Sequence, residues 1–273
     1  MTNAALGPGD PARHTMVATV LELARAWVAR FLAVQGVDRA MALAAQAFSA
    51  LIPLLIVYSA VVSRGEGSSF ADTLIDRFDL DGAAAQTVRQ AFTSSQTVED
   101  TVSFLGAFLL VISALSFARG MQRLYEGAYG LGMLGMRNSH HGLAWLALVV
   151  VYTSVRPLVA GLFDGVVLRT GASLVLAAGL WTATPYLLLG RRLPWRRLLP
   201  GACLAAVAMG ALGATSVIWF PRTISSSADQ FGAMGVAFAL LSWLVAAGFV
   251  LVGSATLGAV TSEWLERRWS RPL

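Results

Sequence analysis

From Gln230 to Ser262 the chain runs for 33 residues without one ionisable side chain, between Asp229 and Glu263. As a helix at ~1.5 Å per residue this stretch would reach about 50 Å, more than the ~30 Å hydrocarbon core of a bilayer. Water does not tolerate such a segment on the surface of a small soluble domain. In lipid its backbone groups must be satisfied internally, which makes it a helix. The stretch therefore predicts a membrane span over about 236–261, with the entry Phe231-Gly232-Ala233-Met234-Gly235 outside the core or tilted.

Composition agrees: 56% of the 273 residues are hydrophobic and 13% charged, where a soluble domain carries about 25% charged residues. Five further apolar windows cover residues 40–63, 101–118, 143–168, 170–190 and 198–221. Arg156, Pro157 and Asp164 interrupt the third, which reads as one long helix kinked where Pro157 lacks a backbone donor. The expected fold is all-α and polytopic, with six spans in a single domain over 16–266 between a polar tail at 1–15 and a short one at 267–273. The first 15 residues lack the apolar core of a secretory signal, so the first span should act as its own insertion signal. Between them, Val17, Val20, Leu21, Ala24, Val28 and Phe31 recur at helical spacing, with Glu22, Arg25 and Arg30 on other faces. This segment is either an amphipathic helix in the membrane interface, with Trp27 on its apolar side, or a helix packed on the ends of its neighbours.

Every basic side chain except the three histidines is an arginine, and their placement orients the chain. Fourteen of the 20 fall in the amino terminus, 119–141, 191–197 and the carboxyl tail; the other six fall on the opposite side. The positive-inside rule then puts both termini in the cytoplasm, as an even number of spans requires. The connection 64–100 faces outward, and its acidic residues outnumber its three arginines. Phe70, Leu74 and Phe78 share one helical face, and Asp81 is placed to cap a second helix reaching Val88 and Phe92. Two short extracytoplasmic helices are expected there, as a functional lid or a solvated cap.

Residue size predicts how the spans pack. Ala202, Ala206, Gly210 and Ala214 repeat every four residues, and Ser254 and Gly258 form a shorter version, which allows close helix approach. Trp219, Phe220, Trp264 and Trp269 stand at window edges, as interfacial aromatics do.

The chemistry of a nuclease or hydrolase is missing from the sequence. His140 and His141 have no carboxylate at ligand spacing, Cys203 is the single cysteine, and neither a phosphate-binding loop ending in Lys nor a Gly-x-Ser-x-Gly turn occurs. No enzyme, cofactor, metal or nucleic-acid partner is expected. The Arg191, Arg192, Arg196 and Arg197 cluster fits anionic lipid headgroups.

Intramembrane polarity supplies the candidate site. Arg156 lies about 20 Å along its helix and either snorkels to the headgroups or faces the bundle interior, where it would read an anionic group. Asp164 follows two turns later, and Gln46, Tyr152 and Gln122 are the other candidate substrate contacts. Pro53, Pro157 and Pro185 are candidate helix breaks, as transporter helices break around a site.

Three segments carry a family resemblance. They are Ala42–Ala60 with Phe48 and Pro53-Leu54-Leu55; Ser113–Gly130 with Gln122 and Leu124-Tyr125; and Leu193–Val260 with Gly232, Gly235, Trp243 and Gly253. The chain resembles the YihY/BrkB-like bacterial inner-membrane proteins, some of which carry an old ribonuclease BN label. It departs from them at Gly253-Ser254-Ala255, where many members have Gly-Ala-Glu, at Gln122, where many have Asn, and at Ala50, where Ser is common. The resemblance implies six helices, both ends cytoplasmic, and brings no settled activity. The preferred expectation is a transporter or flippase of an anionic, amphiphilic envelope molecule. The alternative is a non-transporting scaffold, in one form a homo-oligomer, that assists envelope assembly.

Overall fold

The computed structural model describes residues 11–62, 100–135, 139–163 and 165–269, together with single positions between 72 and 89. The described residues form seven helices: α1 (Pro11–Ala33), α2 (Gly36–Val62), α3 (Asp100–Ala128), α4 (Ser139–Gly161), α5 (Val166–Leu188), α6 (Trp195–Phe231) and α7 (Ala233–Trp269). Six of them, α2 to α7, are long and apolar enough to cross a membrane. The expected all-α, six-span architecture is the observed one.

Several boundaries differ from those the sequence predicts. α3 continues ten residues past 118, because Arg119, Arg123 and Glu126 end the apolar window without ending the helix. The expected helix over 143–168 stops at Gly161, and α5 begins at Val166 instead of 170. Gly165 between them has φ 94°, a conformation open to glycine and strained for other residues, so the chain turns there. Pro53, Pro157 and Pro185 all lie inside helices and break none of them, which corrects the reading of these residues as helix breaks. Each removes one ladder bond, and a helix in lipid keeps the rest because no water compensates lost backbone bonds.

The helix starts and ends define a basic end, where α2, α4 and α6 begin and α3, α5 and α7 finish. A core joins the helices there: Ala40 and Leu43 of α2, Ala118, Met121 and Leu124 of α3, Trp145 of α4, Leu188 of α5, Leu198 of α6 and Val252 and Ala255 of α7. α6 and α7 meet in a tight seam, with Gly201 against Gly258 and Ser254. α2 crosses α7 closely as well, since a Cβ on Gly248 would stand 2.5 Å from the Ala40 carbonyl oxygen. At the opposite end a second core unites Phe220, Ile224 and Ala228 of α6 with Val236 and Ala239 of α7, and with Ile75 and Ala85 from the connection. Phe220 is therefore a core residue, not the interfacial aromatic expected from its place at a window edge; a large ring on the inner face of α6 fills space that the cap closes. In the connection Asp72, Ile75, Gly82, Ala85, Gln86 and Arg89 are helical, and Arg89 Nε donates to Asp72 Oδ1 at 3.1 Å. Phe70, Leu74, Phe78, Asp81, Val88 and Phe92 lie outside the described residues.

α1 is fastened to α7. Trp27 Nε1 donates to Thr256 Oγ1 at 3.1 Å and to the Gly253 carbonyl at 3.3 Å. Arg30 grips Glu263 through both carboxylate oxygens at 2.8 and 3.0 Å, and caps the Ala128 carbonyl at 2.7 Å. Trp27 thus faces protein, while Val20, Leu21, Val28 and Leu32 remain exposed.

Candidate functional site

At the basic end the chain buries a carboxylate. Glu126, in the last turn of α3, is only 2% exposed. Burying an unpaired carboxylate is costly, so it needs donors and positive charge close by. Gln122 Nε2, one turn earlier, donates to its Oε1 at 2.9 Å, as does the Leu134 backbone N–H. Arg192, just beyond α5, reaches the same oxygen at 3.1 Å. Arg192 also binds the Gly132 carbonyl at 2.7 Å and the Leu189 carbonyl at 3.1 Å, so it ties the chain after α3 to the end of α5. Arg39 of α2 stands beside Gly127, donates its Nε to the Val34 carbonyl at 2.6 Å, and interacts electrostatically with Arg123 and Glu126. Next to this cluster, burial pushes the Tyr129 hydroxyl up to about 12, against the opposing pull of Arg197. Arg197 pairs with Glu266 of α7. No group of three or more metal-ligating side chains occurs among the described residues. The arrangement is a clamp: one carboxylate shared by an amide, a backbone N–H and a guanidinium.

Sequence reasoning does not single out Glu126. A signal is present, since Gln122 and Glu126 stand four residues apart on one helix face. The Arg192 partner, 66 residues away, comes only from the fold.

Of the five residues expected to contact substrate, the four that are described do not converge on one place. Gln122 belongs to the Glu126 clamp. Gln46 lies against Gly120 of α3, and its buried Oε1 has no hydrogen-bond partner among the described residues. Tyr152 is half-buried on α4, and Arg156 is exposed one turn further on. Arg156 lies 17 residues into α4, about 26 Å from the basic end, and Gln122 about 9 Å from it, so the two differ in depth by about 17 Å. Asp164 lies outside the described residues. Of the packing residues, Ala206, Ser254 and Gly258 are buried, whereas Gly210 and Ala214 are exposed. The small-residue ridge of α6 meets α7 at its Gly201 end, and beyond Ala206 its Gly210 turns toward Leu174 of α5.

Burial differs sharply along the helices. α4 holds onto α3 through Gly142, against Leu115 and Ala118, and through Trp145, 6.1 Å from Phe117. After Trp145 no described residue of α4 is buried, and α5 buries none before Thr184. A helix packed into a bundle buries about one residue per turn. The far portions of α4 and α5 therefore form a lightly buried limb, anchored at the basic end and resting on α6, where Leu174 lies against Gly210.

This architecture, several apolar helices around a polar clamp at one end, defines a multi-pass α-helical membrane protein. Family comparison makes the assignment specific: the family described as Virulence factor BrkB matches residues 27–271. The chain belongs to that family, which is the one its sequence resembles. No curated protein and no solved structure gives a significant match.

Proposed function

We propose that this protein moves an anionic, amphiphilic envelope molecule within or across a bacterial inner membrane, with both termini in the cytoplasm. The observation that carries the reading is the lightly buried limb: over 166–183, α5 has no fully buried residue. A limb with so little of its surface covered by protein presents that surface to lipid, which suits a substrate whose tails stay in the bilayer while its headgroup crosses. Arg156 stands on this limb, exposed, where its guanidinium is free to meet the phosphate or carboxylate of such a substrate. The clamp and core at the basic end provide the fixed base against which such a limb would move. Reconstitution into liposomes tests the proposal. Fluorescent anionic lipids and lipid-linked precursors should change leaflet faster with the protein than without, and Arg156→Ala should slow that exchange. No protein-dependent movement across the panel, or the same rate in Arg156→Ala, rejects it.

The exposed Ala211 and Ala214 favour a second reading, a scaffold that self-associates through α6. Crosslinking in membranes separates the two. A dimer lost in Ala214→Leu supports the scaffold, and a lone monomer opposes it.

A further inference from the structure

We infer that the cleft between α1 and α7 at the basic end is a binding site for one anionic phospholipid of the phosphatidylglycerol kind. The cleft encloses about 500 Å³ and is lined by Glu22, Leu23 and Ala26 from α1 and by Val260, Trp264, Arg267 and Arg268 from α7. Its chemistry is divided in the way a phospholipid is divided. Leu23, Ala26 and Val260 provide an apolar floor for the upper part of an acyl chain. Arg267 and Arg268 provide two guanidinium forks for a phosphodiester, which such forks grip through paired N–H donors. Glu22 is an acceptor for headgroup hydroxyls, and the three charges sum to one positive, so the site favours a singly negative lipid.

Three observations place the cleft at a membrane surface and hold its shape. The apolar run of α7 ends here, at the boundary of its span near Arg268. The exposed apolar side chains of α1 (Val20, Leu21, Val28 and Leu32) need a non-aqueous neighbour, and the interface supplies one. The walls are already fixed: Trp27 and Arg30 fasten α1 to α7, Arg268 stacks 5.2 Å over Trp264, and Arg267 Nε donates to the Glu263 carbonyl at 3.3 Å. Preformed walls spare the lipid the ordering cost that weakens loose sites. The site is separate from the Arg156 limb and does not depend on transport.

The test uses the whole protein in mixed nanodiscs and native mass spectrometry. Phosphatidylglycerol should be retained over phosphatidylcholine, and Arg267→Gln/Arg268→Gln should weaken retention about thirtyfold, the loss expected for two basic contacts at a membrane surface. The same change at Arg222, exposed at the opposite end of α6, should leave it. Equal retention of both lipids, or unchanged retention in the double variant, overturns the site. Millimolar inorganic phosphate should not displace the lipid; if it does, the occupant is a free anion and the lipid assignment fails. Should the double variant misfold, brominated phosphatidylglycerol provides a second readout on otherwise native protein: it should quench wild-type fluorescence more than that of Trp264→Phe. Equal quenching overturns the proposal.

Discussion

A Cβ atom placed on Gly201 would stand 3.3 Å from the Gly258 Cα, and one placed on Gly258 would overlap the Gly201 backbone. Two helices of 37 residues each thus touch backbone to backbone across a pair of hydrogens. Dispersion at such short range replaces the hydrophobic force that lipid does not provide. Gly258→Ala is expected to cost about 1–3 kcal/mol through overpacking. Gly213→Ala, which would meet nothing within 4 Å, should be close to neutral. Thermal unfolding in one detergent compares the two directly; equal shifts would show that the seam does not hold the bundle.

The Glu126–Arg192 pair should behave as a buried pair on the Glu126 side, since the carboxylate is 3% exposed and the arginine 30%. Arg192→Gln leaves the carboxylate with two neutral donors, an expected loss of about 3 kcal/mol. Glu126→Gln/Arg192→Gln should recover part of that loss, because no uncompensated charge stays inside. A double-mutant cycle measures the coupling, and a coupling near zero contradicts the clamp.

α1 is held by few polar contacts, so each should be visible singly. Trp27→Phe keeps most of the ring and removes the donor to Thr256 and Gly253, a loss of about 1 kcal/mol. Arg30→Gln gives up a two-pronged ion pair and the Ala128 cap. Amide exchange in α1 should quicken in both variants while exchange in α7 stays slow. Uniform change across the molecule would mean that α1 does not open by itself.

Tyr129 provides the pH signature. Its hydroxyl is raised by burial above the ordinary tyrosine value of 10 to about 12, so the folded state prefers the neutral phenol. The corresponding stability is complete below about pH 10 and is lost as pH rises toward 12. Wild type should therefore lose stability over that interval more steeply than Tyr129→Phe. Parallel curves for the two proteins would place the hydroxyl in water.

Hydrophobic length and arginine placement are properties of the linear chain, so the six spans and the common basic end are legible in the residues themselves. Helix ends are less so. α3 continues through Arg119, Arg123 and Glu126 because leaving the apolar window does not remove the ladder of backbone bonds. The Gln122–Glu126 spacing lies in plain view without its meaning, since an i, i+4 pair on a helix is usually a solvated one.

Sequence alone determined that the chain is a bundle of membrane-crossing helices with its arginines gathered at one end, because burial in lipid is decided by each segment's own composition. Only the tertiary structure decided which polar side chains are inside, through contacts as distant as Arg192 with Glu126 and Trp27 with Thr256. It also decided that Arg156 stands on an outer limb far from Gln122. In lipid all faces of a span are apolar, so periodicity does not mark which face meets a neighbour. That choice is made by shape, where Gly201 meets Gly258.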